Sequence, residues 1–289
     1  MLRRVLSALG RSLAVRASAR EWHALAAGPE PRVAAVARAL LRATRAPANG
    51  DERNALDGVQ ALRTRMLKSD DRLEVVDHGA GSPDAWRTPE EMARGVVTTV
   101  QVGEVARTAT TPHRLGCLMF ALVRELVPMR ALELGTNLGI GAAYIGQGLR
   151  LNGQGELHTI EGAASLAHLA RTNMAWSGLH QVHIHQGRFD VVLPQLLAAS
   201  GPFDLVFIDG HHDHDATLDY FDTIHPHLAP GAVVIFDDIG WSDGMSRAWR
   251  RLCADPRTGR TIDIGRWGIA CIGAASSGPG PHHLFRSFP

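Results

Sequence analysis

Four short apolar runs in this chain end on acids, and those acids could do chemistry together. Glu133 lies in Leu132-Glu-Leu-Gly135, Glu161 closes Leu157-His-Thr-Ile-Glu161, Asp209 closes Phe203-Asp-Leu-Val-Phe-Ile-Asp209, and Asp237-Asp238 follow Ala232-Val-Val-Ile-Phe236. Beside the first acid the glycines fall at Gly135, Gly139 and Gly141, in the order G-x-x-x-G-x-G. A dinucleotide fingerprint is G-x-G-x-x-G, so the spacing differs. A carboxylate at that strand end would repel a pyrophosphate and suits a cationic or hydroxylated ligand. Glu161 could accept both hydroxyls of a ribose, as the acid of a nucleotide fold does; an exposed strand-end acid is the plainer alternative. Asp209, Asp237 and Asp238 would repel one another unless something positive joins them. A hard divalent cation such as Mg²⁺ is the economical partner for oxygen ligands. The alternative is that one acid caps a helix and another faces water. His211, His212 and His214 follow Asp209 closely, but neighbouring loop histidines diverge more often than they share a transition metal.

These residues need a scaffold that brings strand ends together. From residue 130 the pattern alternates, with strands expected near 131–134, 156–161, 182–185, 203–209 and 232–237. Helices are expected near 140–150, 163–177, 190–199, 215–227 and 243–254. Such alternation means an α/β fold, a doubly wound, mostly parallel sheet with helices on both faces. In that fold ligands sit at the strand carboxyl ends, beside helix N-termini. Two last strand-like segments, 261–273 and 282–288, are expected to pair as an antiparallel hairpin around Ser276–Pro281.

Ahead of this lies an α-helical N-terminal extension, and the expected division is 1–110 as helical extension or cap and 111–289 as ligand-binding domain. Residues 1–20 carry Arg3, Arg4, Arg11, Arg16 and Arg20 and no acid, with Leu2, Val5, Leu6, Leu9 and Leu13 on one helical face. A helix docked on the body is the reading; a transit peptide and a membrane-surface helix are the alternatives. The stretch is too broken in apolar content to span a membrane. Helices follow at 31–47 and 52–68, the second capped by Asp51. Leu73-Glu-Val-Val-Asp-His-Gly-Ala-Gly-Ser82 imitates the strand-acid-glycine pattern, but Pro83 follows and no further acid-ended strand comes at the right distance. It is assigned a structural turn, with a cap over a substrate pocket as the alternative. Residues 89–110 are expected to be helical. After Thr111-Pro112, Leu115, Leu118, Met119, Leu122 and Leu126 stripe a helix that stops before Pro128.

The chain of 289 residues has a formal net charge of +1, which gives no global electrostatic case for nucleic acid. Lys68 is the only lysine, which we read as the codon bias of a GC-rich genome. Cys117, Cys253 and Cys271 are odd in number and widely spaced, which suits a reducing cytoplasm better than a disulfide or zinc framework.

From about 112 to 273 the chain resembles the class I S-adenosylmethionine-dependent methyltransferases with their Rossmann-like fold, most of all the small-molecule O-methyltransferases of the catechol and caffeoyl-CoA type. Leu132-Glu-Leu-Gly-Thr-Asn-Leu-Gly139 is similar to their first motif, Thr159-Ile-Glu161 to their ribose-binding acid, and Gln186-Gly-Arg-Phe-Asp190 to their adenine-side loop. The whole chain also resembles uncharacterised bacterial methyltransferases with the same Asp-x-Gly-Ala-Gly-Ser turn and a Phe-Asp-Asp-Ile-x-Trp-Ser stretch, here Phe236–Ser242. The resemblance implies S-adenosylmethionine as cofactor, held by Glu133, Gly135, Asn137, Gly139, Glu161, Arg188, Phe189 and Asp209. It also implies a metal on Asp209, Asp237 and Asp238, and a small-molecule hydroxyl as acceptor. Two positions depart from it. His212 stands where the catechol type has a lysine base, and Asp238 where it has asparagine. Histidine titrates near neutrality, so His212 could take the hydroxyl proton beside Asp209; orienting the loop is its alternative role. The added carboxylate either tightens a metal or marks its loss, with the acids then acting as bases. Trp241 could wall the pocket or join the core. The rivals are an N-methyltransferase or aminopropyl transferase on the same fold, a non-catalytic module that binds S-adenosylmethionine, and a nicotinamide oxidoreductase, which the glycine spacing disfavours. The N-terminal hundred residues would form a lid or a homodimer surface.

Overall fold

Runs such as Leu205-Val-Phe-Ile208 leave no polar face, so they suit strands buried on both sides. In the structure, a computed structural model that describes residues 20–79, 81–82, 85–273 and 283–285, they form the middle of an eight-stranded sheet. Leu205 and Phe207 join one buried cluster and Val206 and Ile208 the other, as the two-residue period of a strand requires.

The chain enters through α1 (Pro31–Ala43) and α2 (Gly50–Leu67). The cap of α2 is Asn49, whose side chain accepts from the Glu52 amide; the expected cap, Asp51, lies two residues further in, within the first turn, where it faces the helix's positive end. Next come β1 (Arg72–Asp77), the short pair β2 (Gly81–Ser82) and β3 (Ala85–Trp86), α3 (Pro89–Arg94), β4 (Val96–Gln101) and α4 (Val102–Thr108). The expected helix over 89–110 is therefore two short helices with a strand between them. Val96, Val97, Thr98, Thr99 and Val100 are all β-branched, a run that favours strand, and β4 pairs antiparallel with β1. Helix α5 (His113–Leu126) follows.

The sheet then builds as β5 (Arg130–Leu134), α6 (Ile140–Asn152), β6 (Glu156–Glu161), α7 (Ala164–Trp176), β7 (Val182–Gln186), α8 (Phe189–Ser200), β8 (Phe203–Ile208), α9 (His214–Ile224), β9 (Leu228–Phe236) and α10 (Asp243–Ala254). It closes with β10 (Arg260–Asp263), β11 (Gly268–Cys271) and β12 (His283–Phe285). The strand order is β12-β10-β11-β9-β8-β5-β6-β7. Strands β9 to β7 in that order run parallel, and β11 runs against β9. The edge corrects the expected hairpin. The 261–273 segment folds on itself as β10 and β11, because Gly265 takes φ +94° in the turn, and β12 pairs parallel to β10. The Ser276–Pro281 turn and the Arg-rich helix expected at 1–20 lie outside the described residues, apart from Arg20. Among the described residues no helix is long and apolar enough to cross a membrane.

The chain leaves β5 toward β6 and β7, then returns to β8 on the other side of β5. That reversal opens a crevice at the carboxyl ends of β5 and β8. Helices α1 and α2 share the buried cluster of α5 and α6 through Val36, Leu40, Val59 and Leu62. The β1–β4 ribbon reaches over the sheet end and is tied to α7, where the Ser165 hydroxyl donates to the Glu74 carbonyl at 2.6 Å.

Candidate functional site

The crevice opens into a cavity of about 710 Å³, large enough for a nucleoside-sized ligand. Its floor is the turn after β5. Gly135 takes φ +104°, and a Cβ there would overlap the Asp209 carbonyl oxygen, so only glycine allows β5 and β8 to close up. Asn137 also has a positive φ, of 50°. Its amide donates to Glu161 Oε2 at 2.7 Å, and its side-chain nitrogen donates to the Ala109 carbonyl at 2.8 Å. Its Oδ1 is buried with no partner among the described residues. The other Glu161 oxygen accepts from the Ala163 amide at 2.9 Å. Both oxygens are thus fixed by backbone donors while the carboxylate lines the cavity. Burial raises the Glu161 pKa above the ordinary range, and the two amides oppose that.

Glu133 does not face the cavity. It lies beneath the turn, almost wholly buried, and accepts from the Thr159 hydroxyl at 2.6 Å. A Cβ on Gly141 would come within 2.7 Å of Glu133 Oε1, so that glycine makes room for the carboxyl group. Burial pushes its pKa up to about 8. Gly139 also stays behind the wall; with φ +79° it starts α6. These two expected cofactor residues therefore shape the turn from behind, whereas Gly135, Asn137, Glu161, Arg188, Phe189 and Asp209 line the cavity.

At one end of the cavity Phe189 meets His211 and Tyr220 edge-on, with ring centroids 5.7 and 5.6 Å away. Arg188 forms a fork with Asp190, at 3.0 and 2.7 Å, and also donates to the Ala93 carbonyl. The last contact joins α3 to the rim. The stretch after β1, assigned a structural turn with a pocket cap as the alternative, supplies wall: Asp77, His78, Gly79 and Gly81 all border the cavity. The alternative assigned to that turn fits its position better, because the β1–β4 ribbon carries it over the sheet end.

At the other end stand Asp209, His212, Asp238, Trp241 and Arg266. His212 Nε2 lies 3.6 Å from Asp209 Oδ1. His211, His212 and Asp238, on the loops after β8 and β9, hold φ of 61°, 48° and 52°, a left-handed backbone that non-glycine residues adopt at some cost. Asp237 is buried and takes both arms of the Arg266 guanidinium, at 2.8 and 2.7 Å. Arg266 Nε also lies 3.1 Å from Asp238 Oδ1. Burial and the neighbouring Asp237 charge drive the Asp209 carboxyl well above its usual range. Asp237 is held below its own by Arg266, against the penalty of burial. Asp238 is raised, by burial first and then by Asp237.

The expected metal set does not form. Among the described residues no group of three or more His, Cys, Asp or Glu side chains could hold a metal ion. The positive partner that three acids require is a guanidinium. Sequence reading missed Arg266 because nothing local marks it. Its place comes from register: Gly268 pairs with Phe236 across β11 and β9, which puts Arg266 opposite Asp238, and the Ile239 amide donates to the Arg266 carbonyl at 3.1 Å. A shallower hollow of about 440 Å³, lined by Trp86, His214 and Ser242 among others, adjoins the cavity and shares His212 and Trp241 with it. Trp241 is 45% exposed, so it belongs to the wall and not to the core.

Comparison with known proteins agrees with this layout. Residues 132–239 match the family model of a methyltransferase domain. The chain is 34% identical over 102 residues to catechol O-methyltransferase B of Danio rerio, a match covering 34% of this chain and 38% of that protein. It is 31% identical over 137 residues to the catechol O-methyltransferase of Mycobacterium tuberculosis, covering 47% of this chain and 59% of that one. The chain thus spans less than two thirds of the length of these curated relatives. The crystal structure of SAH-bound Podospora anserina methyltransferase PaMTH1 superposes with a TM-score of 0.53 at 18% identity, over 76% of this chain and 88% of that one, and shares its fold.

Proposed function

We propose that this chain, whose residues 132–239 form a class I methyltransferase domain, is an S-adenosylmethionine-dependent O-methyltransferase acting on a small-molecule hydroxyl. The observation that carries the reading is the floor of the cavity. There a carboxylate, Glu161, is fixed by two backbone amides at the end of the second strand, beside a glycine turn that leaves Asn137 Oδ1 buried and unpartnered. An unpaired buried acceptor costs free energy until a donor meets it, and the ammonium of a methionyl group is such a donor. Glu161 would hold the ribose and the Phe189 ring the adenine, with Arg188 and Asp190 at its border.

When bound, S-adenosylmethionine supplies a methyl group whose bond to sulfur breaks as its bond to the acceptor oxygen forms. The donor is already activated, so the protein mainly supplies alignment and exclusion of water. The β1–β4 ribbon and the turn at 77–81 exclude water from above. His212 is placed to take the hydroxyl proton: it lines the cavity with its Nε2 3.6 Å from Asp209 Oδ1, while Asp237 is occupied by Arg266. The acceptor would enter by the hollow between Trp86 and Trp241. A divalent metal does not fit the acids as they stand, because the guanidinium takes both oxygens of Asp237 and lies against Asp238. No step is assigned to one. Residues 1–110 we read as a cap, of which 75–110 supplies wall. Three widely spaced cysteines, Cys117, Cys253 and Cys271, support a reducing, cytoplasmic setting.

Calorimetric titration with S-adenosylhomocysteine and with NAD tests the reading. S-adenosylhomocysteine should bind, Glu161→Ala should weaken it about tenfold or more, and NAD should give no saturable heat. Tight NAD binding without binding of the homocysteine adduct refutes it.

A further inference from the structure

In this site the carboxylates from β8 and β9 converge at the cavity, and a group of that kind attracts a cation. Here the cation is built into the chain. Arg266 arrives on the turn between β10 and β11, presents Nε and Nη2 to the two oxygens of Asp237, and lies within 3.1 Å of Asp238. Its backbone is fixed to the Asp237-Asp238 segment through the bond from the Ile239 amide. The planar fork matches a carboxylate in a way an ammonium does not. Asp237 is buried, its side chain only 2% exposed, so a divalent ion could reach it only by displacing the guanidinium. That exchange would break two charge-assisted hydrogen bonds on the buried carboxylate, the strong kind.

We propose that Arg266 is the resident cation of this site. It pairs with both acids that follow β9, Asp237 and Asp238, shuts a divalent ion out of the site, and leaves methyl transfer independent of added metal. The last clause alone rests on the methyl-transfer reading; the exclusion of metal stands on the geometry of the acids. The guanidinium leaves Nη1 without a partner among the described residues, and the side chain borders the cavity. The charge therefore stays presented to an acceptor oxygen from one fixed position.

The test reads metal binding and not turnover, so its outcome is separable from that of the homocysteine-adduct titration. The full chain, Arg266→Met and Asp238→Asn are titrated with Mn²⁺, followed by electron paramagnetic resonance of the free ion and by thermal denaturation with Mn²⁺ or EDTA. The unaltered chain should show no saturable Mn²⁺ binding and the same Tm in both. Arg266→Met should melt lower in EDTA and gain a Mn²⁺-linked rise in Tm of at least about 2 °C. Adding Asp237→Asn to Arg266→Met should abolish that rise. If Arg266→Met is recovered only as aggregate, its soluble yield on refolding takes the place of Tm: a higher yield with Mn²⁺ than with EDTA supports the proposal and equal yields overturn it. Saturable Mn²⁺ binding to the unaltered chain that disappears in Asp238→Asn overturns it as well, and so does an Arg266→Met protein whose Tm ignores Mn²⁺.

Discussion

Replacing Glu133 with glutamine should make the protein more stable, and increasingly so as pH rises. The carboxyl lies under the glycine turn, almost wholly buried, with its pKa raised by that burial from 4.5 to about 8. In the unfolded chain the group ionises above its ordinary value; in the folded chain it holds its proton until pH approaches 8. A raised folded pKa means stability that is complete below pH 4.5 and is lost as pH climbs through about 8. The interval is worth roughly 5 kcal/mol at about 1.4 kcal/mol per pH unit. Roughly 3–4 kcal/mol of it falls between pH 5 and pH 8. Glutamine has nearly the same shape, still accepts from the Thr159 hydroxyl, and does not titrate. Urea denaturation of both proteins by circular dichroism at half-unit steps from pH 5 to 8.5 gives the comparison. Every other titrating group is common to both, so the difference between the two curves isolates this carboxyl. The gap should widen with pH by several kcal/mol. Parallel curves would show that Glu133 ionises normally in the folded chain and would refute the argument from burial.

Gly135→Ala should lower stability by roughly 1–3 kcal/mol from backbone strain alone, and the added methyl would push the Asp209 carbonyl away. Its Tm should fall and S-adenosylhomocysteine binding should vanish, and an unchanged Tm with intact binding would contradict the close approach of β5 and β8. Trp241→Ala should leave Tm nearly unchanged, because the indole is 45% exposed, while raising KM for the acceptor. Steady-state kinetics with a hydroxylated aromatic panel checks this, and a large drop in Tm would move Trp241 back into the core.

The parallel strands were legible because their sequences leave no choice. Leu157-His-Thr-Ile160 and Leu205-Val-Phe-Ile208 are buried on both faces, and the acids after them mark the carboxyl ends where ligands gather. The acids at 161 and 209 could be placed at the cavity for that reason. Glu133 could not, since it stands one residue before the strand's end and strand alternation turns it into the layer below. Strand β4 was lost in an expected helix, although its five β-branched residues carried the signal. The wall formed by Asp77 and His78 depends on how the β1–β4 ribbon leans over the sheet, which no local pattern encodes. Arg266 was invisible for the same reason: a pairing register between strands more than thirty residues apart decides what it touches.

The cavity is assembled from two stretches with different obligations. Its base, between Gly135 and Asp238, is pinned by parallel strands in register and by glycines that tolerate no methyl group. Its upper lip, from Val75 to Thr111, is held by a two-stranded ribbon, the Ser165 hydroxyl on α7, Arg188 reaching the Ala93 carbonyl of α3, Arg63 of α2 on Thr110 and Thr111, the bond from Asn137 to Ala109, and the burial of Val75, Val102 and Ala106. Substitutions in the lip disturb few of the contacts that keep the base in shape. A chain built this way can change what it admits while keeping how it grips the donor, so descendants of one ancestor could diverge in diet without relearning their trade.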